Sequence, residues 1–160
     1  LQGQIGMSGN DGLSPEDIAR TVGETMYRKD TAAQHIGITL KEIKPGEAVM
    51  TMRVSDYMLN GHSICHGGYI FTLADTAFAY ACNSYNQNTV AQAAQINFVR
   101  PTPVNVLLTA TATEIARTGR TGLYDITVQD ESGQAVAFFR GNSHTIKGQM
   151  IPGLNEREEK

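Results

Sequence analysis

The stretch from Gly67 to about Ser84 constrains this chain more than any other. Tyr69, Ile70, Phe71, Leu73, Ala74, Ala77, Phe78, Ala79, Tyr80 and Ala81 leave it hardly any polar side. Read as a helix, it is apolar almost all round and therefore has to be buried almost all round. A chain of 160 residues suits one domain with few layers. A sheet must therefore wrap this helix, alone or with help from a second subunit. Yet Asp75 sits in the middle of it.

The flanking sequence supplies that sheet. Ser14 reads as an N-cap with Pro15 in the first turn, and Ile18, Val22 and Met26 mark a buried stripe. A short helical turn over residues 31–36 ends at Gly37. Residues 38–43 and 48–54 alternate apolar and polar on either side of a Pro45-Gly46 turn, which predicts a hairpin. Residues 55–65 form a loop. After the long helix come strand patterns over residues 89–99, 106–115, 123–128 and 134–146, punctuated by Pro101, Pro103, Thr118-Gly119-Arg120 and residues 130–133. The expected plan is α+β, a curled antiparallel sheet around one long central helix. Residues 14–150 form the single domain, with flexible segments at 1–13 and 151–160. Leu1–Gly6 reads as an expression remnant before a natural start at Met7.

Composition narrows the classes of function. The formal net charge of −3 favours neither nucleic acid nor an anionic membrane surface. No apolar run reaches the roughly 18 residues that span a bilayer, and no signal peptide pattern opens the chain. Two cysteines, Cys65 and Cys82, make no disulfide framework, so a reducing cytoplasm is expected.

Chemistry concentrates around the helix. Asn60 and Gly61 lie in the loop that feeds it, His66-Gly67-Gly68 opens it, and Asp75 lies within it. Two glycines at a helix start cost about 1 kcal/mol each relative to alanine. They serve either close packing or a turn, or an uncovered set of N–H groups suited to negative charge. A thioester carbonyl under attack develops such charge, and Gly67 is the candidate donor. Asp75 is either a paired structural carboxylate or a base. No Lys or Arg occurs between Val54 and Val99 to pair with it, and an apolar setting raises a carboxylate's pKa. Gly67 and Asp75 are eight residues apart, roughly 12 Å along one helix. One carbonyl cannot reach both in one chain. If both serve one reaction, two antiparallel helices across a twofold axis supply them, which predicts a dimer.

Leu59-Asn60-Gly61-His62, Cys65-His66-Gly67-Gly68 and the run from Leu73-Ala74-Asp75-Thr76 through Tyr80-Ala81-Cys82-Asn83 resemble the phenylacetic acid degradation thioesterases. Asn97-Phe98-Val99-Arg100-Pro101 and Phe139-Arg140-Gly141 fit as well, and the likeness covers about residues 32–147. The resemblance implies a hotdog-fold acyl-CoA hydrolase acting on phenylacetyl-CoA or ring-hydroxylated relatives, assembled as a homotetramer of two dimers. It implies Asp75 as general base or nucleophile, the Gly67 amide as carbonyl polariser and Asn60 as an orienting group. Some hotdog thioesterases use a threonine one turn after the carboxylate. Here Ala79 stands in that place and Thr76 is a weak substitute.

Coenzyme A enters as part of the substrate, and no separate cofactor is expected. Its phosphates call for cations. Arg100, Arg117, Arg120 and Arg140 are the candidates, as residues at strand ends or in the Arg117-Thr118-Gly119-Arg120 turn, with solvated surface arginines as the plain alternative. The resemblance favours the strand end at Arg100 and that turn. His66 and Gly68 shape the same loop and are candidate substrate contacts. His62, His66 and Cys65 give only three soft ligands, so no metal site is expected. Cys65 precedes a helix N-terminus, where a thiolate would be stabilised, which leaves a cysteine nucleophile as a remote choice. The rival functions are a hotdog enoyl-CoA hydratase and a non-catalytic acyl-CoA-binding module.

Overall fold

The computed structural model describes residues 12–155. Helix α1 (Pro15–Lys29) starts at Ser14, whose hydroxyl accepts from the Asp17 amide, and a short α2 (Thr31–His35) follows under an Asp30 cap. Strands β1 (Thr39–Lys44) and β2 (Glu47–Arg53) form the hairpin, with Gly46 at φ +75° in its turn. A single 3-10 turn (Asp56–Met58) interrupts the expected loop. Then come α3 (Gly67–Asn83), β3 (Gln87–Phe98), β4 (Leu107–Thr118), β5 (Thr121–Gln129) and β6 (Ala135–Gln149).

The six strands pair antiparallel in the order β1-β2-β4-β5-β6-β3, and α3 packs against the sheet. The inward positions are those the alternation marks. Ala48, Met50, Met52 and Val54 of the hairpin are buried, and Leu108 rather than Leu107 joins Ala110 and Ala112. From α3, Leu73, Ala74, Ala77, Phe78, Tyr80 and Ala81 complete the core.

Four details differ from expectation. The buried stripe of α1 centres on Ala19, Val22 and Gly23, with Ile18 and Met26 only half-buried. Gly23 lies against Ile43 and Leu40, so the helix turns its smallest residue toward β1. Strands β3 to β6 reach beyond the alternating stretches, because bulges at Gln87/Thr89, Ala91/Ala93, Glu114/Ala116 and Val128/Gln129 break the period without ending the pairing. Arg140 lies within β6, not at a strand end. Lastly, residues 151–155, expected in a flexible tail, fold back on the loop after α3. The Ile151 amide donates to Asn86 Oδ1 at 2.8 Å, and Asn86 Nδ2 donates to the Ile151 carbonyl at 2.9 Å. The expected tail segments at 1–11 and 156–160 lie outside the described residues.

Gly141 of β6 fixes how closely helix and sheet approach. A methyl group there would lie 2.8–2.9 Å from three atoms of the Phe78 ring. Phe78 is buried and wedged against Tyr124 and Phe139, so the ring has nowhere to swing. Gly141→Ala is therefore expected to destabilise the fold by about 1–3 kcal/mol through overpacking, measured as a lowered urea midpoint at unchanged m-value.

Candidate active site

The start of α3 is held by backbone bonds from two directions. The Cys65 amide donates to the Thr102 carbonyl at 2.8 Å, and the His66 amide donates to the Met58 carbonyl at 2.7 Å. His66 is the N-cap residue, and its Nδ1 accepts from the Gly68 amide at 2.9 Å. An acceptor at Nδ1 puts the proton of the neutral ring on Nε2. The Gly68 amide is thereby spent on the cap. The Gly67 amide has no acceptor among the described residues, so of the two glycines it is Gly67 that keeps a free donor at the positive end of the helix.

Asn60 shapes the preceding loop. Its Oδ1 accepts from the His62 amide at 2.9 Å and the Ile64 amide at 3.3 Å, while its own amide donates to the Ile64 carbonyl at 2.8 Å. With the oxygen committed, the side-chain NH2 group is what remains to offer a ligand. Asn60, His66, Gly67 and Arg100 come together on a cleft of about 600 Å³, walled by Ile70, Phe98 and Thr102. Thr102 Oγ1 is buried there with no hydrogen-bond partner among the described residues.

Asp75 does not line that cleft. It lies two turns further along α3, on the same stripe as Gly67 and Phe71, since positions i, i+4 and i+8 share a helix face. The carboxylate is half-buried and takes part in no ion pair or hydrogen bond among the described residues. Burial raises its pKa above the ordinary carboxylate value. Thr76, the weak substitute for a catalytic hydroxyl, donates to the Thr72 carbonyl at 2.6 Å and is occupied with its own helix.

Other candidates are engaged elsewhere. Burial pushes the Cys65 thiol up to about 11 and the Cys82 thiol up to about 12, which leaves neither as a thiolate at neutral pH. Arg140 makes a two-pronged pair with Asp125 at 2.7 and 2.8 Å on the exposed side of the sheet, and holds that carboxyl below its ordinary range. Arg117 lies 3.5 Å over the Tyr85 ring and 3.5 Å from Glu114. A phosphate would have to displace a carboxylate to reach either one. Gly119 and Arg120 line a separate open cavity of about 710 Å³ with Gln87, Thr145 and Gln149, and Thr118 lies one residue before that turn. Sequence reasoning gave no role to Phe98 or Thr102. Phe98 stood in a recognised motif, but its neighbour across the fold is not readable from local pattern.

Comparison with known proteins identifies the family of the chain. The family described as "Thioesterase superfamily" matches residues 62–137. The Escherichia coli K12 protein named "Acyl-coenzyme A thioesterase PaaI" is 49% identical over 123 residues, covering 77% of this chain and 88% of its own. A "Putative esterase" of Archaeoglobus fulgidus is 30% identical over 135 residues, covering 84% and 88%. The solved structure of the E. coli PaaI protein, titled as coming from the phenylacetic acid degradation operon, superposes with a TM-score of 0.84 at 46% identity, over 85% of this chain and 99% of that one. A mutant structure of the Thermus thermophilus phenylacetic acid degradation protein PaaI gives 0.71 at 32% identity, over 73% and 100%. An α+β hotdog fold, with a half-buried carboxylate and a helix-tip amide that have no partner among the described residues, thus sits in a chain that belongs to the thioesterase superfamily and is a thioester hydrolase.

Proposed function

We propose that the chain hydrolyses an aryl- or arylacetyl-CoA, of the phenylacetyl-CoA or hydroxyphenylacetyl-CoA type, to the free acid and coenzyme A. The reaction would release coenzyme A from thioesters in phenylacetate degradation. The observation that carries this reading is Asp75, an unpaired carboxylate on the helix whose tip offers the unpaired Gly67 amide. The 49% identity to a protein named as an acyl-coenzyme A thioesterase supports the substrate class.

In this reading the site spans two protomers, with Asp75 of one facing Gly67 of the other. The sheet edge supports such pairing. Among the described residues strand β3 is bonded only to β6, its 12 residues carry no charge, and residues 91–95 are exposed. Edges not meant for pairing normally carry charges or proline. A dimer formed along β3 leaves a further surface for assembly into a tetramer.

The thioester carbonyl oxygen accepts from the Gly67 amide, and the Asn60 NH2 group is the second donor at hand. Water adds to the carbonyl carbon as Asp75 takes its proton, the C–S bond breaks, and the departing thiolate is protonated. The alternative is direct attack by Asp75, which forms a mixed anhydride that water then opens. Single-turnover hydrolysis in oxygen-18 water separates the two: direct hydration puts the label in the product acid, whereas water that opens the anhydride at the Asp75 carbon leaves the label in Asp75 and none in the first product. Arg100, at the cleft, and Arg120, in the β4–β5 turn, are the arginines without a carboxylate partner among the four candidates, and they are the proposed phosphate contacts.

Asp75→Asn is expected to lower turnover at least about a hundredfold while the dimer and the fold persist. A thiol reagent assay over aliphatic, benzoyl and phenylacetyl-CoA checks this. Loss of an enoyl-CoA without thiol release would point instead to a hydratase, and unchanged background hydrolysis in the variant to a binding module. Because the active form is the carboxylate, kcat/KM should rise with pH through an inflection above the ordinary aspartate value.

The same carboxylate weighs on stability. Its folded pKa is raised, so between the unfolded and folded values the native state binds more protons, and stability falls as pH climbs through that window. Asp75→Asn removes this cost. The variant should melt higher than the parent at pH 7.5 and show no such advantage near pH 3, in paired thermal unfolding scans.

A further inference from the structure

The Asn97-Phe98-Val99-Arg100-Pro101 segment contains a contact that the reaction as described does not use. Phe98 is the last residue of β3, paired opposite Ala137 of β6. The residue is 52% exposed, so its ring is open to whatever enters the cleft. What it touches is the tip of α3. A methyl group on Gly67 would lie 2.9, 3.2 and 3.3 Å from the Cζ, Cε1 and Cε2 atoms of that ring. Those atoms form the far edge of the side chain, so the phenyl ring is inserted edge-on beside the helix-tip backbone.

The backbone on both sides of Phe98 is tethered. The Val99 amide donates to the Val136 carbonyl at 2.9 Å, and the Arg100 amide to the same oxygen at 3.3 Å. Three residues after Val99, the Thr102 carbonyl receives the Cys65 amide at 2.8 Å, which links this segment to the residue before the helix N-cap. Strand end and helix tip therefore hold a fixed relation, and the ring lines the same cleft as Asn60, Gly67 and Arg100.

The geometry points to Phe98 as a positioning residue for the thioester carbonyl. It is an aromatic wall that keeps water off one side of the Gly67 amide and sets how deep the carbonyl seats. A hydrogen bond shielded from water acts on developing charge in a lower local dielectric, where it is stronger. The contact also gives a second reason for glycine at position 67. Alanine would keep the backbone N–H donor, yet its methyl would push the ring outward. Since Phe98 is half-exposed, the ring can swing at little cost to folding, unlike the trapped Phe78 ring facing Gly141. This inference rests on the reading of Gly67 as the carbonyl's donor.

The experiment is steady-state kinetics on phenylacetyl-CoA for Phe98→Ala, Phe98→Leu, Gly67→Ala and the Gly67→Ala/Phe98→Ala double variant, with Asp75→Asn alongside and thermal unfolding of each. Phe98→Ala should lose about tenfold or more in kcat, with KM changed far less. Phe98→Leu should recover most of that loss, and all four variants should fold. If the two residues act through one contact, the double variant is no slower than the slower single. Wild-type kcat in Phe98→Ala, a loss confined to KM, or multiplying losses in the double variant would overturn the proposal. An active Asp75→Asn would instead overturn the underlying reading of the site, so the two failures are told apart.

Discussion

The burial of α3 inside the sheet is the constraint on which the rest depends. Phe71, Thr72, Asp75 and Ala79 of α3 stay only half-buried, short of the all-round burial its composition predicts. A helix of 17 residues packed along one side on a sheet needs small residues where backbones approach and anchors at both ends. Ala74, Ala77 and Ala81 supply the first, and Gly141 admits the Phe78 ring from the sheet side. At the C-terminal end Asn83 binds both the amide and the carbonyl of Thr89, each at 2.9 Å, and Ser84 Oγ accepts from the Gly46 amide at 2.8 Å. At the N-terminal end the Cys65–Thr102 and His66–Met58 bonds do the same work. A helix fixed so firmly presents its tip amide and its carboxylate in set positions. Preorganisation of this kind is what allows a donor to stabilise charge without first reorganising.

Electrostatics divide along the same lines. On the exposed side of the sheet and at the β4 end, arginine meets carboxylate, as Arg140 does with Asp125 and Arg117 with Glu114. Among the described residues no cation offsets Asp75, and burial is what raises its pKa. A guanidinium beside it would have held the proton off and made a weak base. The absence of Lys and Arg from Val54 to Val99 removes the local partners that would have lowered that pKa. Burial likewise pushes the thiols of Cys65 and Cys82 up, so the same kind of environment raises the carboxyl and both thiols together.

Much of this was legible in the sequence, for physical reasons that also mark the boundary. Burial follows from a period, so the central helix, the hairpin and the inward faces of β2 and β4 could be read from alternation and helical spacing. A bulge breaks the period while pairing continues, which is why β4 reads as ending at Ile115 although its bonds run to Thr118. Asp75 was visible because it violates the pattern around it. Which arginines are free was not visible, because Arg140 meets Asp125 only through the β5–β6 register. The Phe98–Gly67 contact joins segments far apart in sequence, and no local rule encodes it.

The rigidity of α3 also limits what one chain can do. Gly67 and Asp75 are locked about two turns apart on one straight element, roughly 12 Å by helical rise. No loop motion shortens that distance without unwinding the helix and exposing its apolar surface. A site using both groups therefore has to borrow one of them, and two antiparallel copies of α3 would bring each tip opposite the other's carboxylate. The uncharged edge of β3 provides a route for that pairing, because a second β3 would satisfy its open backbone groups. The distance along the helix and the uncharged sheet edge are thus compatible with the two-protomer site proposed above.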